Sequence, residues 1–144
     1  MMRSPAAADL QEWRRLWDGY LRFYGADVST EVTARTWKRL LDDTSSLVGR
    51  VAQSDGGLAG FTVSVLHYST WTERPILYLE DLFVDPVRRK TGLGRALVQD
   101  AVGEARTRGC STIYWHTRAD NAAARRLYDR FTPADDFVRY RMSL

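Results

Sequence analysis

The sequence predicts one α/β domain of the α+β kind over residues 1–144, with its elements in the order ααβββαβαβ. Three observations predict it. In "ADLQEWRRLWDGYLRFYG", Leu10, Trp13, Leu16, Trp17, Tyr20 and Tyr24 recur at helical spacing. "SDGG" divides two apolar runs, which marks an antiparallel hairpin. The apolar run "ILYLEDLFVD" leads through a glycine-containing turn and a helical segment into a second run, "STIYWHT". Such a crossover is right-handed and makes its two strands parallel. The sheet is therefore mixed and mostly antiparallel, with one parallel strand pair and flanking helices.

The first helix ends at Gly25, and its Trp/Tyr stripe reads as a core face. A second helix runs from Glu31 to about Leu41, with Ser29 or Thr30 as its N-cap. "SLVGRVAQSDGGLAGFTVSVLHYS" supplies the hairpin, and Trp71–Pro75 reads as a loop. The next strand stops at Asp85-Pro86. "GLGRALVQDAVGEARTRG" is helical, with Leu93, Ala96, Leu97, Ala101 and Ala105 on its apolar side and Gly109 as a left-handed cap. The strand "STIYWHT", the short helix "DNAAARRLYDRF" and a final strand "FVRYRMSL" complete the order.

At 144 residues the chain can bury a core without metals or disulfides. Cys110 is its only cysteine, so no intrachain disulfide or cysteine-based metal cluster forms, and Cys110 reads as a small buried apolar residue. No His/Cys/carboxylate spacing points to a metal. The N-terminus lacks the apolar stretch of a signal peptide, and no run is long enough to span a bilayer, so a cytoplasmic protein is expected. The net charge of +3 suits an anionic ligand and is too small to argue for nucleic acid.

The most informative stretch is "DPVRRKTGLGRAL". Gly92 and Gly94 let the backbone turn tightly and approach a ligand closely. The loop runs into a helix, whose first N–H groups are unpaired and whose dipole is positive there. Such a place binds phosphate, and Arg88, Arg89 and Lys90 add attraction. It is not a dinucleotide fingerprint, because position 97 is Leu97, nor a P-loop, because Lys90-Thr91 precedes the glycines.

"RKTGLG" resembles the Arg/Gln-x-x-Gly-x-Gly/Ala loop of the GNAT superfamily of N-acetyltransferases. The resemblance extends upstream through "YLEDLFVDPVRR" and downstream through "YWHTRADNAAARRLYD", and is nearest to the histone/polyamine branch, close to the spermidine/spermine acetyltransferases. It implies acetyl-CoA as acyl donor and a primary amine, such as a polyamine or amino compound, as acceptor. It implies direct attack by the amine in a ternary complex. On the strand, Leu82, Phe83 and Val84 would meet the cofactor, with N–H groups near Phe83 or Val84 polarising the thioester carbonyl. In the loop the pyrophosphate would lie against Arg89, Lys90, Thr91, Gly92, Leu93, Gly94 and Arg95, and further along the chain Asn121, Ala124 and Arg125 would line the cofactor.

Glu80 and Asp81 lie within an apolar strand, and strict alternation points them to opposite faces. Either one is a candidate for an arginine salt bridge or for a base, since an alkylamine is protonated at pH 7 and must lose a proton before attacking. The resemblance implies Glu80 as the base and Asp81 as the holder of a cationic substrate. It also places a bulge near this point, which would re-aim one carboxylate. Asn121 and Tyr128, seven residues apart, share a helix face. By the resemblance Asn121 bonds the cofactor and Tyr128 protonates the leaving thiolate.

His116, late in its strand, and Tyr68, beside His67 and Trp71, are candidate substrate contacts. One departure from the family stands out: no glycine follows "LYD", and the turn is made with Pro133. This bears on the acceptor pocket and on any homodimer built by the last strand. Two alternatives remain open at this stage: acetylation of a protein lysine or N-terminus, and a coenzyme A-binding sensor without turnover.

Overall fold

The computed structural model describes all of residues 1–144. The elements are β1 (Met2–Arg3), α1 (Leu10–Tyr24), α2 (Thr30–Leu40), β2 (Leu47–Ser54), β3 (Gly57–Ser69), β4 (Thr72–Val84), α3 (Leu93–Thr107), β5 (Thr112–Trp115) and α4 (Ala122–Tyr128). They form one five-stranded sheet in the order β1-β2-β3-β4-β5. The first three pairings are antiparallel, and β4–β5 is the single parallel pair. This is the expected mixed sheet, enlarged by the two-residue β1.

The helix ends form as the sequence dictates. The Ser29 side chain accepts from the Val32 N–H at 3.2 Å, and Gly25 and Gly109 both take left-handed backbone angles, φ 60° and 70°. On one face of the sheet, Trp13, Leu16 and Trp17 of α1 and Trp37 and Leu40 of α2 pack on Val51, Phe61, Val63 and Phe83. On the other face α3 covers Val48 and Leu77 through Ala105. Val98, absent from the predicted apolar stripe of α3, is fully buried beside Leu97. Arg50 of β2 fixes α3 laterally by a two-pronged pair with Asp100, at 2.7 and 2.9 Å.

Two expectations are corrected. The expected loop at Trp71–Pro75 is a turn ending at Trp71, because β4 begins at Thr72. Pro75 is tolerated there because the β3–β4 register slips between His67 and Ser69, so that Pro75 faces an irregularity where no ladder N–H is required. The expected final strand at Phe137–Leu144 does not form. That segment has no backbone partner in the sheet, and Phe137, Tyr140 and Met142 are 83%, 94% and 83% exposed. The outer edge of β5 is consequently open, and a groove of about 500 Å³ runs between it, α4 and residues 132–137.

Candidate active site

The site lies where the sheet opens. β4 and β5 pair from Ile76↔Thr112 to Leu79↔Trp115 and then separate, while β4 continues to Val84 against β3. Beyond Leu79, the backbone groups of β4 that point away from β3 have no strand partner. They line one wall of a wedge, and Leu82, Phe83 and Val84 all lie along that wall.

A bulge decides where the carboxylates go. Ser64 pairs with Leu79, whereas Val63 pairs with Asp81, so Glu80 is an extra residue in β4. Without it, Asp81 would share the α3 face with Leu79. With it, Asp81 shares the α1 face with Val63 and Phe83, and Tyr20 of α1 donates a hydrogen bond to Asp81 Oδ1 at 2.5 Å. Neither carboxylate takes part in any ion pair. Burial pushes Asp81 up to about 6; the Tyr20 hydrogen bond works against that rise and the Glu80 charge adds to it. Burial first, then the Asp81 charge, raises the Tyr24 hydroxyl too. Glu80 itself is exposed.

Below Glu80 lies an aromatic floor on the α1 face. Tyr78 and Tyr114 stack at 4.9 Å across the last rungs of the parallel pair. His116 Nδ1 lies 3.2 Å from the Tyr78 hydroxyl, and His67 Nε2 lies 2.9 Å from that of Tyr114. Both tyrosines are raised by burial and then by the Glu80 charge, so this floor feels that carboxylate; at Tyr78 the Arg139 charge works against the rise. His116 therefore belongs to this floor, against Tyr78 and Tyr114. Tyr68 does not: it is 87% exposed near the far end of the β3–β4 hairpin, five residues along β3 from the bulge, or roughly 17 Å.

The anion loop sits at the mouth of the wedge. Asp85 caps Pro86–Arg88 by accepting from the Val87 N–H at 3.2 Å and from Arg15 at 2.5 Å. Burial works to raise Asp85, but Arg15 and the Val87 N–H hold it below the usual carboxylate range. Lys90 and Gly92 both adopt positive φ, 64° and 84°, which turns successive N–H groups to one side. The N–H groups of Lys90 through Arg95 have no acceptor within the chain. A Cβ on Gly94 would meet Leu127 of α4 at 3.4 Å and Val84 at 3.9 Å, so β4, α3 and α4 converge at this loop. A chain of unpaired donors in a glycine-lined cradle fits a pyrophosphate. The Arg89 guanidinium lies over the Phe23 and Phe83 rings, at 5.5 and 5.7 Å, on the wedge side of the loop.

Across the wedge, Tyr128 packs its ring 5.5 Å from that of Trp115. Burial, and then Tyr24, raise its pKa, so it remains a proton donor. Asn121 is the N-cap of α4, its side-chain oxygen accepting from the Ala124 N–H at 3.2 Å. Arg125 donates to the Ala119 carbonyl at 3.0 Å and lines the groove beside β5. The structure thus gathers Glu80, Asp81, His116 and Tyr128 about one wedge. It adds Tyr20 and Tyr24, which sequence reasoning assigned to the core. Their signal was position: they are the last aromatics of the α1 stripe, where α1 passes the bulge.

Residues 11–132 match the model of the acetyltransferase (GNAT) family. The chain belongs to that family. Among GNAT relatives, the D-amino-acid N-acetyltransferase HPA3 of Saccharomyces cerevisiae is 30% identical over 98% of this chain and 89% of its own length. The thialysine N-epsilon-acetyltransferase of Mus musculus is 32% identical over 54% of this chain and 48% of its own length. The crystal structure of a probable acetyltransferase superposes with a TM-score of 0.87, at 22% identity over 100% of this chain and 97% of that one. An aminoglycoside acetyltransferase from an uncultured soil metagenomic sample, in complex with sisomicin, gives 0.82, at 17% identity over 100% and 95%. Membership carries the type of activity: this is a GNAT N-acetyltransferase whose acyl donor is acetyl-CoA. The branch within the family is matched only loosely.

Proposed function

We propose that this GNAT protein acetylates a small primary amine by direct attack in a ternary complex. The observation that carries the reading is the wedge itself. It has an anion cradle at its mouth, two unpaired carboxylates on one wall and a protonated tyrosine on the other. Acetyl-CoA supplies the thioester acyl group. The loop N–H groups of Lys90–Arg95 hold its pyrophosphate, Arg89 and Arg125 neutralise charge nearby, and the unpaired N–H groups near Phe83 and Val84 polarise the carbonyl. The spare amide NH₂ of Asn121 bonds the pantetheine arm, and Ala124 leaves room for it. The two bulge carboxylates divide the work on the ammonium. The family resemblance gives the proton to Glu80 and the cation to Asp81. Tyr128 protonates the thiolate; a thiol pKa of about 8.5 makes that help worth a modest factor.

The acceptor is a small amino compound, a reading supported by the relative named for D-amino acids, which matches over 98% of this chain, and by the two carboxylates beside the aromatic floor. A homodimer is part of the proposal. Each subunit has an open β5 edge and a tail whose Phe137, Tyr140 and Met142 are largely exposed. The tail of one subunit covers the groove of the other.

The test is thiol release from acetyl-CoA with polyamines, amino acids, aminoglycosides and lysine peptides, for the wild type and Tyr128→Phe. Turnover of one class of small amine, lowered about ten- to a hundredfold in Tyr128→Phe, supports the reading. Preference for peptides moves the acceptor to protein, and no release with any acceptor despite coenzyme A binding makes the protein a sensor.

A further inference from the structure

Tyr20 has a role that neither the family resemblance nor the sequence pattern assigns. It belongs to α1, outside the matched loop and strand motifs, yet its hydroxyl is the one hydrogen-bond donor that reaches Asp81. The α1 aromatics hold it in place: its ring stacks on Trp17 at 5.3 Å and meets Phe83 edge-on at 6.3 Å. Asp81 is itself aimed at Tyr20 by the bulge. The groups facing it are Tyr20 and Tyr24 from α1 and Glu80 and Tyr78 from β4, while Val63 stands opposite on β3. No cation neutralises it.

We infer that Asp81, oriented by Tyr20, accepts the proton of the bound ammonium, and that Glu80 instead draws the cation in. The inference rests on the transferase reading above and reverses the roles implied by resemblance. Geometry separates the two carboxylates. Glu80 is solvated and without a hydrogen-bond partner, and its charge is felt by both Tyr78 and Tyr114, whose ring faces also attract a cation. Asp81 is the recessed member at the separation of β4 and β5. The balance is simple. The ammonium gives one proton to an Asp81 oxygen, which later returns it to water. The free amine then forms the C–N bond as the C–S bond breaks. The nitrogen's surplus proton ends on the departing sulfur, with Tyr128 as donor and then recipient. Tyr20 is a positioning residue and never touches the substrate.

The test combines the pH dependence of kcat/KM with carboxyl ¹³C NMR of aspartate-labelled protein, the Asp81 resonance being assigned from Asp81→Asn. The expected result is an Asp81 titration near 6 that coincides with the acid limb of kcat/KM. In Tyr20→Phe both move upward together, because the hydrogen bond to the ionised carboxylate is gone. Asp81→Asn removes the limb and lowers kcat/KM by about 10²–10³-fold. Glu80→Gln raises KM and leaves the limb in place. An acid limb that disappears with Glu80→Gln, a Tyr20→Phe loss with the limb unmoved, or an Asp81→Asn enzyme within about threefold of wild type overturns the inference. If the wild type turns over no amine, the transferase reading falls and this role falls with it. That outcome is recognisable because the NMR coupling of Asp81 to Tyr20 is read without any acceptor.

Discussion

Asp81→Asn should make the protein more stable at neutral pH and no more stable in acid. Asn keeps the shape, and its carbonyl oxygen still accepts from Tyr20, but it carries no charge at any pH. Asp81 titrates at about 6 in the folded protein, against about 3.9 in an unfolded chain. The folded state therefore binds this proton more tightly. Stability from the protonated carboxyl is complete below about pH 4 and is lost as pH rises through 6. Two units correspond to about 3 kcal/mol. Urea unfolding of both proteins from pH 4 to pH 8 measures the difference. The curves should nearly coincide at pH 4, and by pH 7–8 the variant should gain about 2–3 kcal/mol, a midpoint shift of roughly 1 M urea. A difference that is constant across this range, or that favours the wild type at pH 8, would refute the placement of Asp81 as a buried carboxylate without a cation. The predicted gain accompanies a predicted loss of turnover, as when function retains a costly group.

A Cβ on Gly60 would stand 2.7 Å from the Phe83 carbonyl oxygen, which is backbone and cannot step aside. Gly60→Ala should therefore cost about 1–3 kcal/mol in urea melts and disturb the β4 wall. Gly92, at φ 84°, has open space around it, so Gly92→Ala should cost about 1–2 kcal/mol through backbone strain alone and weaken coenzyme A binding by calorimetry. Gly94→Ala meets only ordinary contacts, so its melting temperature should hold while coenzyme A binding weakens through loss of close approach. Removing residues 137–144 should yield monomers by light scattering where the full chain gives dimers, and it should leave unfolding of the β2–β4 core unchanged.

Much of the site was legible in the sequence because it depends on local chemistry. The anion loop needs glycines in left-handed or close-approach positions beside cations, and Arg89–Gly94 states that in six residues. Helical spacing puts Asn121 and Tyr128 on one face, and the family resemblance supplies the roles proposed for them. Tyr68 adjoins an aromatic loop in sequence, which makes it a candidate acceptor contact, and the length of the β3–β4 hairpin sets it away from the bulge. The last strand was legible as a strand, since Phe137–Leu144 alternates as one, but a strand forms only where another backbone offers its hydrogen bonds, and this chain leaves that edge empty.

The mixed sheet, the crossover, the capped helices and the glycine turn before α3 are all readable from the chain, because period, turn chemistry and capping act over a few residues. The face and partner of Asp81 come from long-range pairing instead. One extra residue in β4 turns its side chain from the α3 face to the α1 face, and the bulge is defined by register against β3, through the pairs Ser64–Leu79 and Val63–Asp81. The same register brings Tyr20, sixty-one residues distant, to its carboxylate. A side chain's face, burial and partner are properties of the pairing between segments, and no short stretch of this chain holds them.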